Sequence, residues 1–453
     1  MARLAVIGAG IAGLAAAYEG QRQQLDTVVF EASDRVGGKI HASTFAGQLV
    51  DEAADAFLAR VPWAVELCDE LGLTPRLTEP AARSAFVWSR GELRRLPASQ
   101  LLGVPTDLDE LAATGIVSDE GVERAREDLD RGDPAPEGDP SIGAFVRDRL
   151  GDEVVDRLVG PLVGGINAGD VDRLSLRGSA AQIAGAADRG GSLIAAARAI
   201  RAGATAQPTA PVFHAPLGGM TELVDALRRS CGSTVAIRTG TPVSRLRPTA
   251  AGWLVGDEPE AFDHVVVAVP ARVAAELVAR AAEAASILSH IDYASVAMVS
   301  LAFEPSSLGH ELDGSGFLVP AIEGRFVTAC SFASSKWAHL GSSDTAILRV
   351  SAGRDGDTEL ATDLDDATLS RKVLSDLDDF LGIDAPPIAT RVSRWPESLP
   401  QYRPGHLDRI DDLDASVGAD LPGVCVVGAA LRGLGIPACI QQGREAVRRM
   451  VAR

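Results

Sequence analysis

Gly8, Gly10 and Gly13 stand at the spacing G-x-G-x-x-G, and Glu31 follows eighteen residues after the third glycine. Such a set can hold a dinucleotide. The first glycine permits a tight turn, the second lets the backbone approach a pyrophosphate, and the third lets helix and strand pack closely. A helix N-terminus offers free N–H groups and partial positive charge to phosphates. A carboxylate at position 31 accepts both hydrogen bonds of a ribose diol and disfavours a 2′-phosphate, without separating FAD from NAD. The competing reading is a glycine-rich turn in an alanine-rich helix. Directly afterwards, residues 31–39 (EASDRVGGK) carry a second glycine pair, Gly37 and Gly38. That pair allows close backbone approach to another part of an extended cofactor. Arg35 and Lys39 are cations able to neutralise phosphate; a plain turn with two solvated cations is the alternative. Near the other end, residues 424–428 read as a strand into Gly428. Residues 431–437 (LRGLGIP) follow, with a helix starting near Cys439. This second glycine-rich helix start suits a polar group such as the ribityl–pyrimidine end of a flavin.

No conventional catalytic set accompanies these turns. The seven histidines show no HxH or HExxH spacing, so no metal site is expected. Ser179 and Ser192 lack a GxSxG context. Asp51, Glu52 and Asp55 cluster, and read more readily as a solvated face or a cap than as an acid–base pair. A flavin carries out hydride transfer itself, so the protein need supply only binding and orientation.

The elements that must position these residues follow from periodicity. Residues 4–7 read as a buried strand, the residues after the Gly8–Gly13 turn as an alanine-rich helix to about Arg22, and residues 27–30 as a second strand. Residues 63–73 have helical spacing, and residues 91–200 read as mostly helical, broken by a loop at 131–140. Residues 202–211 read as a flexible connector. Strands are expected at 235–237, 242–246, 253–255, 264–269, 293–303, 346–351 and 421–427. Helices are expected at 271–290, 364–382 and 440–451, and Met220 is expected in the core. The first and last segments suggest one domain assembled from distant parts of the chain.

Composition narrows the class. The 453 residues are 46% hydrophobic and 23% charged, an ordinary globular balance. Aromatics are 4% and the formal net charge is −19, which argues against nucleic acid and against an anionic membrane surface. Only Lys39, Lys336 and Lys372 are lysines; the other cations are arginines. The five cysteines are scattered without a CxxC, so neither a disulfide scaffold nor zinc is expected, and a cytoplasmic setting fits. The apolar start superficially resembles a secretion signal, but its three spaced glycines favour a folded unit. No run of 18 apolar residues reads as a transmembrane helix.

Residues 4–40, with GAGIAGLAAA and EASDRVGGKI, resemble the FAD-binding amine oxidase superfamily. Three stretches narrow the resemblance to its protoporphyrinogen and coproporphyrinogen oxidase branch: residues 50–73, residues 161–177 (PLVGGINAGDVDRLSLR), and residues 395–410 with 428–443. The resemblance implies an α/β fold, with a Rossmann-like, p-hydroxybenzoate-hydroxylase-like FAD domain from residues 1–62, 213–275 and 395–453. It implies a mixed-sheet substrate domain from 63–84 and 276–394, and a helical lobe over 85–212. The implied reaction is six-electron oxidation of a porphyrinogen in haem biosynthesis. Three hydride removals to flavin N5 alternate with reoxidation by oxygen, giving hydrogen peroxide, with no catalytic side chain required. Gly8, Gly10, Gly13 and Glu31 match ADP-binding positions, and Arg35, Gly37, Gly38 and Lys39 match the next flavin turn. Val243 matches an adenine-side strand, Trp395 a tryptophan near the flavin, and Gly428, Gly435, Ile436 and Pro437 the C-terminal flavin turn. Ala53, Asn167 and Ala438 replace the usual Gly, Tyr and Asp. A cysteine for covalent linkage is lacking at the C-terminal position, so FAD is expected to be noncovalent.

The implied substrate carries propionates, which a −19 protein repels unless its cleft is locally basic. Arg60 is the first candidate to bind them, with Arg177 and Arg432; Lys39, Arg94 and Arg95 are further choices. Arginine suits carboxylates because its planar fork binds bidentately. Coproporphyrinogen III is favoured over protoporphyrinogen IX, since no membrane-inserting stretch is evident and the composition resembles that of high-GC Gram-positive bacteria, whose relatives use the former. Peripheral membrane association and transient contact with the next haem-pathway enzyme stay open. The competitors are another amine oxidase or desaturase, for which only Tyr18, Tyr293 and Tyr402 could form an aromatic cage, and a nonenzymatic flavin- or porphyrin-binding protein.

Overall fold

In the computed structural model, five strands drawn from three distant parts of the chain form one parallel sheet. Their order is Val235–Arg238, Asp26–Phe30, Arg3–Ile7, His264–Val267 and Val424–Val426. The structure describes all residues except Arg83, 205–210, Ser343, 358–360 and Arg453. Leu4–Ile7 and Val265–Val267 are continuously apolar because the sheet is covered on both faces. One face packs against the helices Ile11–Arg22, Thr221–Cys231 and Ile436–Val451. The other packs against Ala271–Leu277, Ala282–Ser289 and His406–Asp420.

A second sheet of seven strands runs Ala389–Pro400, Tyr293–Phe303, Ala346–Ala352, Val327–Phe332, Gly316–Leu318, Phe86–Ser89, Glu92–Arg95. It is antiparallel except where Gly316–Leu318 meets Phe86–Ser89. Its strands obey the two-residue period of a half-buried sheet. Ala297 and Val299 enter the core beneath the helix Asp366–Leu381, while Val296 and Met298 line a cavity on the opposite face. Helices from Leu108–Thr114 to Leu193–Ala204 build a lobe with its own apolar core.

Several expectations are corrected. Helix over 91–200 begins only at Leu108; Glu92–Arg95, Gln100–Leu101 and Val104–Pro105 are strands, and residues 86–95 join the seven-stranded sheet rather than a helical lobe. The strand expected over 242–246 starts only at Leu246 and runs to Thr249. Pro242 has no N–H to donate, and the preceding backbone is spent on the second strand's end: Gly240 N–H bonds Ser33 O and Thr241 N–H bonds Glu31 O. The helix expected over 271–290 is two helices, and the terminal helix starts at Ile436, because Pro437 is tolerated in a first turn. Ala64, Leu67 and Cys68, assigned above to the substrate domain, pack in the parallel-sheet core, as do Leu277, Ala284 and Leu288 on its other face. The limit at residue 395 cuts a continuous strand. The connector read at 202–211 is helical to Ala204 and otherwise lies mostly outside the described residues. Met220 is fully buried, as expected.

Candidate functional site

The three glycines do different work. Gly8 has φ +100°, and a Cβ there would lie 2.4 Å from Ala268 O. A Cβ on Gly13 would lie 1.9 Å from Gly8 O, so the helix start is pressed onto the turn. Gly10 has nothing within 4 Å of its absent side chain. That open side is where a bound group gains closest approach to the backbone. Glu31 sits at the edge of the same turn: its carboxylate accepts from Ala9 N–H at 2.7 Å and Ser33 N–H at 2.9 Å. Gly37 N–H donates to Ala9 O at 2.8 Å, laying the second glycine turn on the first. Arg35 does not face outward as a phosphate clamp. It donates to the carbonyls of Gly38 and Val36 and ties its own turn closed. Val243 is half-buried two residues beyond Thr241, on the Glu31 side of the turn.

The C-terminal turn is held by residues the sequence reading did not assign. Tyr402 OH donates to Ala429 O and accepts from Gly433 N–H at 2.9 Å. Its ring stacks on His406 at 3.9 Å, and His406 Nε2 contacts Leu431 O at 2.8 Å. Burial pushes the His406 imidazole down to about 4, so it is neutral near pH 7. Gly428 has φ +129° with open space beside it, and Gly435 caps the helix Ile436–Val451, with Pro437 in its first turn. That helix lies on the first one: a Cβ on Gly443 would be 2.2 Å from Ala12 O. Arg444 bridges buried Glu19 at 3.0 Å and Glu70 at 3.0 Å, and Arg448 reaches Glu19 at 3.0 Å. The glycine cradle, the ribose-side acid and the second helix start thus fit an extended dinucleotide lying between the two ends of the chain.

Asp51, Glu52 and Asp55 are not a solvated face. Asp55 accepts from Lys336, Trp337 Nε1 and Arg349, each at 3.0 Å. Burial alone would raise its carboxyl, but Lys336 and Arg349 hold it far below the usual range. Asp51 accepts from Met220 N–H at 2.9 Å, and burial, opposed by Arg349, pushes it up to about 7. Trp395 Nε1 donates to Glu52 O at 3.0 Å, and Trp395 pairs across the sheet with Val296. Ala53 O takes a bond from the buried Arg349, so the residue in place of the usual glycine has its carbonyl tied down. Asn167 donates to Val163 O at 2.8 Å and its carbonyl accepts from Gln401, closing the end of its helix.

A cavity of about 730 Å³ lies between the seven-stranded sheet and the lobe. This is within the ordinary size of ligand sites, about 300–1,000 Å³. Val296, Met298, Thr328, Ser351 and Leu399 form its sheet wall. The helix Gly160–Asn167 and the π-helical turn Val155–Val159 before it form the facing wall. Such turns recur at functional sites. None of the three tyrosines lines this space, so no aromatic cage forms there. Nor do Arg60, Arg177 or Arg432. Arg177 is spent on Asp188 and Gly138 O, Arg432 on Asp411 and Asp414, and Arg60 is exposed on a turn after Leu58. Arg94 and Arg95 pair with Glu92 and Asp313. The arginines at the cavity are Arg147, Arg173, Arg325 and Arg354. Arg173 lies within the 161–177 stretch and was findable there; the others carry no local signal.

The profile of flavin containing amine oxidoreductases matches residues 11–451. The chain is 34% identical to the coproporphyrinogen III oxidase of Bacillus subtilis (strain 168), covering 98% of this chain and 96% of that one. It is 36% identical to the coproporphyrinogen III oxidase of Mycobacterium leprae (strain TN), covering 99% and 98%. An Exiguobacterium sp. 255-15 crystal structure, provisionally assigned as a protoporphyrinogen oxidase, superposes with a TM-score of 0.89 at 28% identity, covering 100% and 99%. With both glycine turns open at Gly10 and Gly428 and the match running over residues 11–451, the chain belongs to the flavin-containing amine oxidoreductase family.

Proposed function

We propose that this protein is an FAD-dependent oxidase that removes six electrons and six protons from coproporphyrinogen III, giving coproporphyrin III. Three molecules of oxygen are reduced to three of hydrogen peroxide. The observation that carries this reading is the end-to-end likeness to the Bacillus and Mycobacterium enzymes of that name. FAD, when bound, supplies the hydride acceptor that oxygen regenerates. Gly10 and Gly428 leave room for it, Glu31 meets its ribose, and the cavity receives the macrocycle beside Trp395's partner Val296. Val155, Pro161, Val171 and Met298 offer apolar surface to that ring. FAD is held noncovalently, and no side chain is assigned as acid or base. No described helix is long and apolar enough to cross a membrane. We place the enzyme in the cytoplasm, where it hands its product to the next haem-pathway enzyme.

A second reading, protoporphyrinogen IX, is favoured by one feature: the cavity's four arginines face five lining aspartates (Asp156, Asp170, Asp172, Asp355 and Asp357). No surplus of positive charge awaits four propionates. The test is porphyrin fluorescence after mixing purified protein with each porphyrinogen in air. Faster turnover of coproporphyrinogen III is expected. Faster turnover of protoporphyrinogen IX selects the second reading, and a colourless protein without turnover sinks both. Denaturation that leaves yellow colour on the polypeptide would contradict noncovalent binding.

A further inference from the structure

Of the four arginines at the cavity, three are already neutralised. Arg147 pairs with Asp152 at 3.2 Å, Asp156 at 2.6 Å and Asp172 at 2.9 Å. Arg173 pairs with Asp355 at 3.1 Å, which Arg403 also holds at 2.9 Å. Arg325 pairs with Asp379 and with Asp376. Arg354 differs: among the described residues no carboxylate lies within ion-pair distance of its guanidinium. One amino group donates to Val319 O at 2.9 Å. The nearby Asp357 accepts at 2.8 Å from Arg354's own main-chain N–H instead.

The backbone is built to put Arg354 there. It follows the strand Ala346–Ala352 through Gly353, whose φ is +104° and whose absent Cβ would lie 2.5 Å from Ser295 O. No other residue type fits that bend. Among the described residues Asp357 and Asp376 act on this half-buried guanidinium only from beyond ion-pair distance, and a partly desolvated cation without a direct counter-ion is an unfavourable arrangement that a ligand carboxylate relieves.

We propose that Arg354 is the substrate-carboxylate anchor of the cavity, receiving one propionate of the macrocycle and setting its orientation, while the remaining carboxylates stay at the solvent side. This rests on the porphyrinogen reading above. It is a binding and specificity role, since the planar fork grips a carboxylate equally before and during oxidation.

The experiment compares wild type, Arg354→Gln and Arg354→Lys as flavin-loaded proteins. It measures KM and kcat for coproporphyrinogen III and the Kd for coproporphyrin III by fluorescence. Arg354→Gln is expected to raise KM and Kd about tenfold or more with kcat within about twofold, as loss of a charge-assisted contact formed in the ground state requires. Arg354→Lys recovers part of the affinity, and Arg177→Gln, whose side chain is committed to Asp188, leaves both constants unchanged. Wild-type protein treated with phenylglyoxal gives a readout that needs no variant. Arg354 is expected to be modified in the free protein and protected by bound coproporphyrin III. Unchanged KM and Kd in Arg354→Gln, or equal modification with and without porphyrin, overturns the anchor and leaves the functional reading intact. Wild type that neither binds nor forms porphyrin overturns both.

Discussion

Lys39 Nζ donates to the main-chain carbonyl of Ser398, 359 residues away. One residue further on, Leu399 forms part of the cavity wall. The glycine-pair turn is thus fastened to the strand that lines the cavity. Lys39 also lies 5.9 Å from the Tyr293 ring, and burial lowers its pKa, as expected for an ammonium walled in by protein. Lys39→Met removes the fastening. We expect flavin retention to weaken about tenfold, the worth of one charge-assisted hydrogen bond. The ratio of flavin absorbance to protein after gel filtration measures it; an unchanged ratio refutes it.

Gly10→Ala and Gly13→Ala separate binding from folding. At Gly10 a methyl group meets nothing in the protein, so the stability of the flavin-free chain changes by less than about 1 kcal/mol, the scale of a cap substitution, while flavin affinity falls. At Gly13 the methyl group would strike Gly8 O, and the flavin-free chain loses about 3 kcal/mol. Urea unfolding of both flavin-free variants distinguishes the two effects.

Glu19 is 1% exposed. Burial would raise its carboxyl, but hydrogen bonds from Arg448, Gln23 and Arg444 lower it from 4.5 to about 2. The unfolded chain therefore binds this proton first as pH falls. The carboxylate contributes about 3 kcal/mol above pH 4.5, and that contribution is lost as pH falls through about 2. Subtracting the pH–stability curve of Glu19→Gln from that of wild type should show this decline in that window alone.

Asp51 has the opposite sign. Burial holds a proton on the folded state up to about pH 7, which the unfolded chain releases near 3.8. Stability falls by about 4 kcal/mol as pH rises between those values. Asp51→Asn keeps an acceptor for Met220 N–H and removes the charge, so it should unfold at higher urea than wild type at pH 8. A lower midpoint there would show that the ionised form is the one the fold accommodates.

The cradle was legible because its glycines answer to constraints within a few residues: a turn, a close helix, a positive φ. Gly8, Gly13 and Glu31 stand where the spacing put them. Distant partnerships were not legible. Tyr402 and His406 pin Gly433 and Leu431 from 31 and 25 residues away, and nothing local marks them. The carboxylates at 51–55 look like surface in sequence, because the cations around Asp55 arrive from far along the chain, Lys336 from the short helix Ala333–Lys336 and Arg349 from the strand Ala346–Ala352. The arginines show the same limit. Arg60, Arg177 and Arg432 were chosen by neighbourhood, whereas the uncommitted cation at the cavity, Arg354, is set apart by which aspartates the other three hold. The strands at 86–95 hide in a stretch of helical composition, since their pairing to Gly316–Leu318 is a long-range event.

The contact of Gly443 with Ala12 has a consequence for biosynthesis. The first helix meets its partner, and Glu19 its two arginines, only after more than four hundred further residues have been made. A nascent chain on the ribosome therefore carries a finished glycine turn on an unclosed half-sheet that lacks its last strand. Pigment uptake therefore waits on the strand Val424–Val426 and the helix Ile436–Val451, and a deletion within that helix disturbs maturation before it disturbs turnover.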